Sequence, residues 1–108
     1  MAISSDSTTP TPGPFDPYQL GPIKLRNRIV KAATFEGVMP RGAVSDELIA
    51  FHRRVAAGGA ALSTVAYCAV SMGGRVNPHS LVMKPELTAD LERLTNADHE
   101  EGAAGSAQ

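Results

Sequence analysis

The residues with the most to say about chemistry sit at the ends of apolar runs. Asn27 to Thr34 is a β-branched stretch that gives way to Ala32, Ala33 and Thr34 just before Phe35-Glu36-Gly37. Such a run reads as a buried strand, and small residues at its end leave room for a flat group to lie against the backbone. A second apolar run, Val65 to Val70, carries Tyr67 and the single cysteine, Cys68. With one cysteine no internal disulfide forms, and a thiol in this setting reads as buried and inert. Other constellations fall away on spacing. His52, His79 and His99 are far apart and lack the Cys or carboxylate neighbours of a metal site. The spacing places His52 on a helix surface. Gly73-Gly74-Arg75 follows a strand without opening a helix, unlike a phosphate-cradling loop. Asp46 with Glu47, and Glu100 with Glu101, are adjacent on helices and point apart, so neither makes an acid–base dyad.

The elements that must position these residues can be read in order. Residues 1–14 are rich in Ser, Thr and Pro and read as a mobile tail. Tyr18 to Leu20 and Ile23 to Leu25, around Gly21-Pro22, suggest a hairpin that leads into a strand over 29–33. Ser45 with Asp46 and Glu47 caps a helix whose apolar face holds Leu48, Ile49, Phe51, Val55 and Ala56, and Gly58-Gly59 stops it. Residues 60–70 read as a second strand with few charges, as in a sheet covered on both faces. A loop over 71–85 precedes a second helix from about Thr88 to Glu101, closed by Gly102, with Leu87, Leu91, Leu94 and Ala97 on one side. Glu100 and Glu101 are unfavourably placed at the negative end of that helix. Residues 103–108 open a third strand. The alternation of strand and helix demands parallel pairing with right-handed crossovers. About two and a half βα units fall short of the roughly 250 residues of a closed (β/α)8 barrel. The expected fold class is therefore α/β: a hairpin plus the first units of a TIM barrel, with 15–108 as an N-terminal portion truncated in its third strand.

Composition narrows the partners. The 108 residues carry a formal net charge of −1, which gives no electrostatic reason to expect nucleic acid or an anionic membrane. Lys24, Arg26, Arg28 and Lys31 alternate with other residues as strand neighbours do. No secretory signal or membrane-spanning run is legible, so a cytoplasmic protein is expected. An uncovered parallel sheet would invite association with a second copy or another partner.

Four motifs in order carry a resemblance. Phe15-Asp16-Pro17-Tyr18, then Gly21-Pro22-Ile23-Lys24-Leu25-Arg26-Asn27-Arg28-Ile29-Val30, then Phe51-His52-Arg53-Arg54-Val55-Ala56-Ala57-Gly58-Gly59, and finally Gly102-Ala103-Ala104-Gly105-Ser106-Ala107-Gln108 resemble the old yellow enzyme family of FMN-dependent oxidoreductases, in particular its NADH:flavin oxidoreductase branch. The resemblance implies a TIM barrel with an N-terminal hairpin at its bottom and chemistry at the carboxyl ends of the strands. It implies FMN as cofactor, NADH or NADPH as electron donor, and a small-molecule acceptor such as an electron-poor alkene. The cofactor contacts it implies are Ala32, Ala33, Thr34, Phe35, Tyr67 and Gln108. The primary amide of Gln108 suits a pyrimidine edge because it both donates and accepts. Many family members carry Pro at the position of Ala33 and Thr or Cys at that of Phe35, so polar tuning of the ring by residue 35 is not expected. The family's phosphate-binding loops, substrate-orienting pair and proton donor would lie beyond residue 108, so no catalytic residue is expected among these 108. The rival expectation is a non-enzymatic relic or interaction module whose partner covers the sheet.

Overall fold

The structure is a computed structural model and describes residues 10–108. Most of the expected tail, residues 1–9, lies outside the described residues. The chain is already anchored at Pro14, whose carbonyl accepts from Arg28 N–H at 2.8 Å.

The hairpin forms as the turn residues dictate. Strands β1 (Tyr18–Leu20) and β2 (Ile23–Leu25) pair antiparallel with Tyr18 opposite Leu25. Gly21 turns the corner at φ 57°, a backbone state that a side chain would strain. Strand β3 (Val30–Lys31) is shorter than the expected 29–33. It leaves the ladder because Thr34 N–H turns back to the Ala32 carbonyl at 2.8 Å. Helix α1 (Asp46–Ala57) starts where Ser45 Oγ accepts from Leu48 N–H at 3.1 Å. The expected second strand over 60–70 is two pieces, β4 (Leu62–Val65) and β5 (Cys68–Ala69), separated by a cis Ala66–Tyr67 peptide. Ala66 leaves the ladder because both its backbone groups bond to Glu36. Within the long loop, a short β6 (Leu81–Val82) pairs parallel with β5. Helix α2 (Thr88–Glu100) and strand β7 (Ala104–Ala107) complete the described chain.

The main sheet has the order β3-β4-β7, all parallel, with Val30 beside Leu62 and Leu62 beside Ala104. Both helices pack on one face. Ser63 meets α1 through His52, and a Cβ on Gly105 would come within 3.0 Å of Asp98 on α2. Thr64 and Ser106 therefore lie on the other face, their hydroxyls 2.7 Å apart. On that face Val30 is 50% exposed. The described residues thus form a curved α/β segment with no closed barrel. Met39, Leu48, Val65, Leu81, Leu87 and Leu94 make the core between sheet and helices.

The basic residues after the hairpin have particular duties. Arg26 donates to the carbonyls of Ala56 at 2.6 Å, Ala60 at 2.9 Å and Glu101 at 2.8 Å. One guanidinium thereby satisfies carbonyls at the ends of both helices, which otherwise lack partners. Asn27 donates to Gly59 O at 2.7 Å and accepts from Ile29 N–H, tying the entry of β3 to the turn after α1. The unfavourable acids at the end of α2 also find a reason. Arg53 of α1 pairs with Glu100 at 2.9 Å and Glu101 at 3.2 Å, although such exposed pairs contribute little to stability.

Gly102 has φ 87°, and an added Cβ would fall 2.5 Å from Arg26 Nη1. Gly21 has φ 57° with nothing within 4 Å of such a Cβ. Both Gly→Ala changes cost about 1 kcal/mol or more in backbone strain. Gly102→Ala also disturbs the Arg26 clamp, so in urea denaturation it should destabilise more than Gly21→Ala.

Candidate functional site

The carboxyl ends of β3, β4 and β7 lie side by side. Ala32 and Thr34 follow β3 and are exposed, with Ala33 half-buried between them. Phe35 stacks on Tyr67, ring centroids 5.1 Å apart and planes within 6°. Gln108 follows β7, and its backbone is held at both ends: its N–H donates to Val65 O at 3.1 Å and its carbonyl accepts from Cys68 N–H at 2.8 Å. The side chain is exposed. Tyr67, Cys68 and Gln108 line an open cleft of about 570 Å³ whose far wall includes Val76 and Ser80. Ser80 is buried, and its hydroxyl has no partner among the described residues. Of the sequence-derived site residues, Tyr67 and Gln108 share this cleft and Phe35 backs Tyr67. Ala32, Ala33 and Thr34 do not line it; they flank it at the neighbouring strand end.

Cys68 is half-buried, its Sγ 3.9 Å from Val65 O. Burial pushes the thiol above its ordinary value, more than the Gln108 backbone contact lowers it. A protonated thiol is a poor nucleophile at neutral pH. The thiol was expected to be buried; it is half-buried and lines the cleft.

Beneath the strand ends lies a network that the sequence reading did not collect. Glu36, in the loop after β3, has a side chain only 1% exposed. Its Oε2 accepts from Lys31 Nζ at 3.1 Å and lies 2.7 Å from His52 Nε2, while Ala66 N–H reaches Oε1 at 3.3 Å. Burial is the largest single influence and would raise its pKa. Against it, the hydrogen bonds from His52 and Lys31, a backbone hydrogen bond and the Lys31 charge hold the carboxyl below its ordinary value. His52 Nδ1 meets Ser63 Oγ at 2.5 Å. The expectation of a surface His52 is corrected: the residue is fully buried. It shares the α1 stripe with Leu48 and Ala56, four residues either way, and is tolerated there because both ring nitrogens are bonded. That i, i+4, i+8 spacing was the signal available in the sequence. Lys31 also donates to Thr64 O at 2.7 Å and lies over the Phe51 ring.

No protein-family model matches the chain. A 4,4'-dithiodibutanoate disulfide reductase from Rhodococcus erythropolis is 66% identical over 102 residues, covering 94% of this chain and 25% of the relative. Among solved structures, morphinone reductase in complex with tetrahydroNAD superposes with a TM-score of 0.81 at 21% identity, over 91% of this chain and 27% of that one. Old Yellow Enzyme from Pichia sp. AKU4542 gives 0.80 at 17% identity, over 90% and 26%. Over the residues matched, the chain has the fold of part of these old yellow enzyme-type structures. It spans about a quarter of the length of these relatives. The cleft lies beside the carboxyl ends of β4 and β7, with Tyr67 following β4 and Gln108 following β7.

A second buried acid, Asp98 of α2, has neither carboxyl oxygen partnered among the described residues. Burial, opposed by His52, His99 and Arg53, pushes it up to about 6. Between about pH 4 and about pH 6 the folded chain holds a proton that the unfolded chain has released, so stability falls as pH rises through that window. Glu36 acts with the opposite sign: its contribution is present above the unfolded value and is lost as pH falls through the lowered folded one. Thermal melts followed by circular dichroism should therefore show a higher midpoint at pH 5 than at pH 8. Asp98→Asn should flatten that difference, and an unchanged slope in this variant would contradict the assignment.

Proposed function

We propose that this chain supplies the ring-edge half of an FMN site in an NADH- or NADPH-dependent reductase. The observation that carries the reading is the meeting of three parallel strand ends beside one cleft, with Gln108 fixed by its backbone and its amide free. The residues fit a flavin edge. Ala32 and Ala33 are small enough for close approach, Thr34 offers a hydroxyl, and the Gln108 amide can both donate and accept. Ser80 adds a buried hydroxyl in need of a partner. Bound there, the flavin would supply the redox chemistry, passing a hydride from the nicotinamide to a small acceptor. The chain's own part is to orient the ring and to keep one edge of it out of water.

The 66% identity to a disulfide reductase favours a disulfide as the acceptor over the electron-poor alkene implied by the broader family. The other expectation, an interaction module, draws on the exposed Val30 and on β3 and β7 being the edge strands of the sheet.

The cleft lining includes no Lys or Arg, so it offers no side-chain cation for the flavin phosphate. The purified 108-residue chain is therefore expected to bind FMN very weakly, to carry no stoichiometric yellow colour, and to oxidise NADH no faster than free FMN. Absorbance at the flavin bands and NADH consumption test this. Stoichiometric flavin with turnover would overturn the half-site reading.

A further inference from the structure

We propose that Glu36 is the positioning residue of this cleft: its carboxylate fixes the segment after β3 against the segment after β4, so that Tyr67, backed by Phe35, and Gln108 line the cleft together. The inference rests on the flavin reading for the identity of the ligand, but its mechanical core stands on the geometry alone.

Glu36 engages Ala66 from both sides. Its own N–H donates to Ala66 O at 3.4 Å, and its carboxylate accepts from Ala66 N–H at 3.3 Å. Each of these two residues adjoins one of the stacked rings, Phe35 next to Glu36 and Tyr67 next to Ala66. The connection runs onward through backbone bonds. Cys68 N–H donates to Gln108 O, and the Tyr67 carbonyl accepts from Leu81 N–H at 2.9 Å, which brings in the far wall of the cleft. Glu36 is absent from the cleft lining, so it acts through these neighbours and not by touching a ligand. Lys31 and His52 hold the carboxylate from below, and Ser63 on β4 fixes the His52 ring through its other nitrogen. The side chain is therefore anchored to β3, α1 and β4 at once. An amide in its place keeps the shape but meets the Lys31 ammonium and the Ala66 N–H with a single acceptor oxygen.

The test uses the isotope-labelled 108-residue chain as wild type, Glu36→Gln and Leu94→Ala, the last a core change in α2 that lowers stability while leaving every hydrogen bond of Glu36 its partner. In the absence of ligand, Glu36→Gln should speed exchange of the Ala66 amide at least tenfold and abolish nuclear Overhauser contacts between the Phe35 and Tyr67 rings. Leu94→Ala should leave those ring contacts in place. If Glu36→Gln does not fold, Lys31→Met removes one donor and should produce the same changes at smaller size. In FMN titrations, the wild-type Tyr67, Cys68 and Gln108 amides should shift at millimolar FMN, and Glu36→Gln should weaken that response at least fivefold. Ring contacts and Ala66 exchange that survive Glu36→Gln, or that are lost equally in Leu94→Ala, overturn the positioning role. An undiminished FMN response in Glu36→Gln overturns it for the ligand. A wild type that ignores FMN overturns the flavin reading instead, and the ligand-free measurements then decide the role of Glu36.

Discussion

A carboxylate sealed from water persists as an ion only where enough donors replace its hydration, and Glu36 meets that condition at the junction of three elements. Desolvation would raise its pKa, and the hydrogen bonds from His52 and Lys31, a backbone hydrogen bond and the Lys31 charge bring it below its ordinary value, with the Ala66 amide 3.3 Å from Oε1. The arrangement is intolerant of change. Removing one partner of a buried charge typically costs about 3–5 kcal/mol, against a total of about 5–15 kcal/mol for a small domain. Every strand end at the cleft is within one or two hydrogen bonds of this group. The local shape of the site thus depends on an interaction that a ligand would never touch.

Around that junction, the rest of the described chain acts as a frame. Arg26 and Asn27 close the bottom of the sheet by gathering carbonyls from the ends of both helices. The core formed by Leu48, Val65, Leu81 and Leu94 fills the space between helices and sheet. On the opposite sheet face Leu62 is buried against Leu25 of the hairpin, while Val30 and Ser106 are exposed.

The sequence yielded the hairpin, both helices and the parallel order because each is dictated locally. Gly21-Pro22 sets the turn, Ser45 the cap of α1, and Gly58 and Gly102 the helix ends. The places where it failed are those where distant residues meet. The long strand expected over 60–70 breaks at Ala66 because Glu36, thirty positions earlier, takes its backbone groups. His52 looked like a surface residue because its partners, Glu36 and Ser63, come from other elements. Asp98 gave no local sign of its burial, which depends on Gly105 leaving room beneath β7. For the site, Tyr67 and Gln108 were found by resemblance and share the cleft. The residue that joins their strand ends was passed over as part of a polar loop.

The account turns on Glu36 being an ion in the folded chain. Carbon-13 labelling of glutamate side-chain carboxyls, with Glu36 assigned by comparison with Glu36→Gln, allows its titration to be followed directly by nuclear magnetic resonance. The account predicts a carboxyl that titrates below the ordinary glutamate range, with the Ala66 amide signal moving in the same pH window. A Glu36 carboxyl that gains its proton at or above the ordinary value, while the chain is still folded, would contradict it.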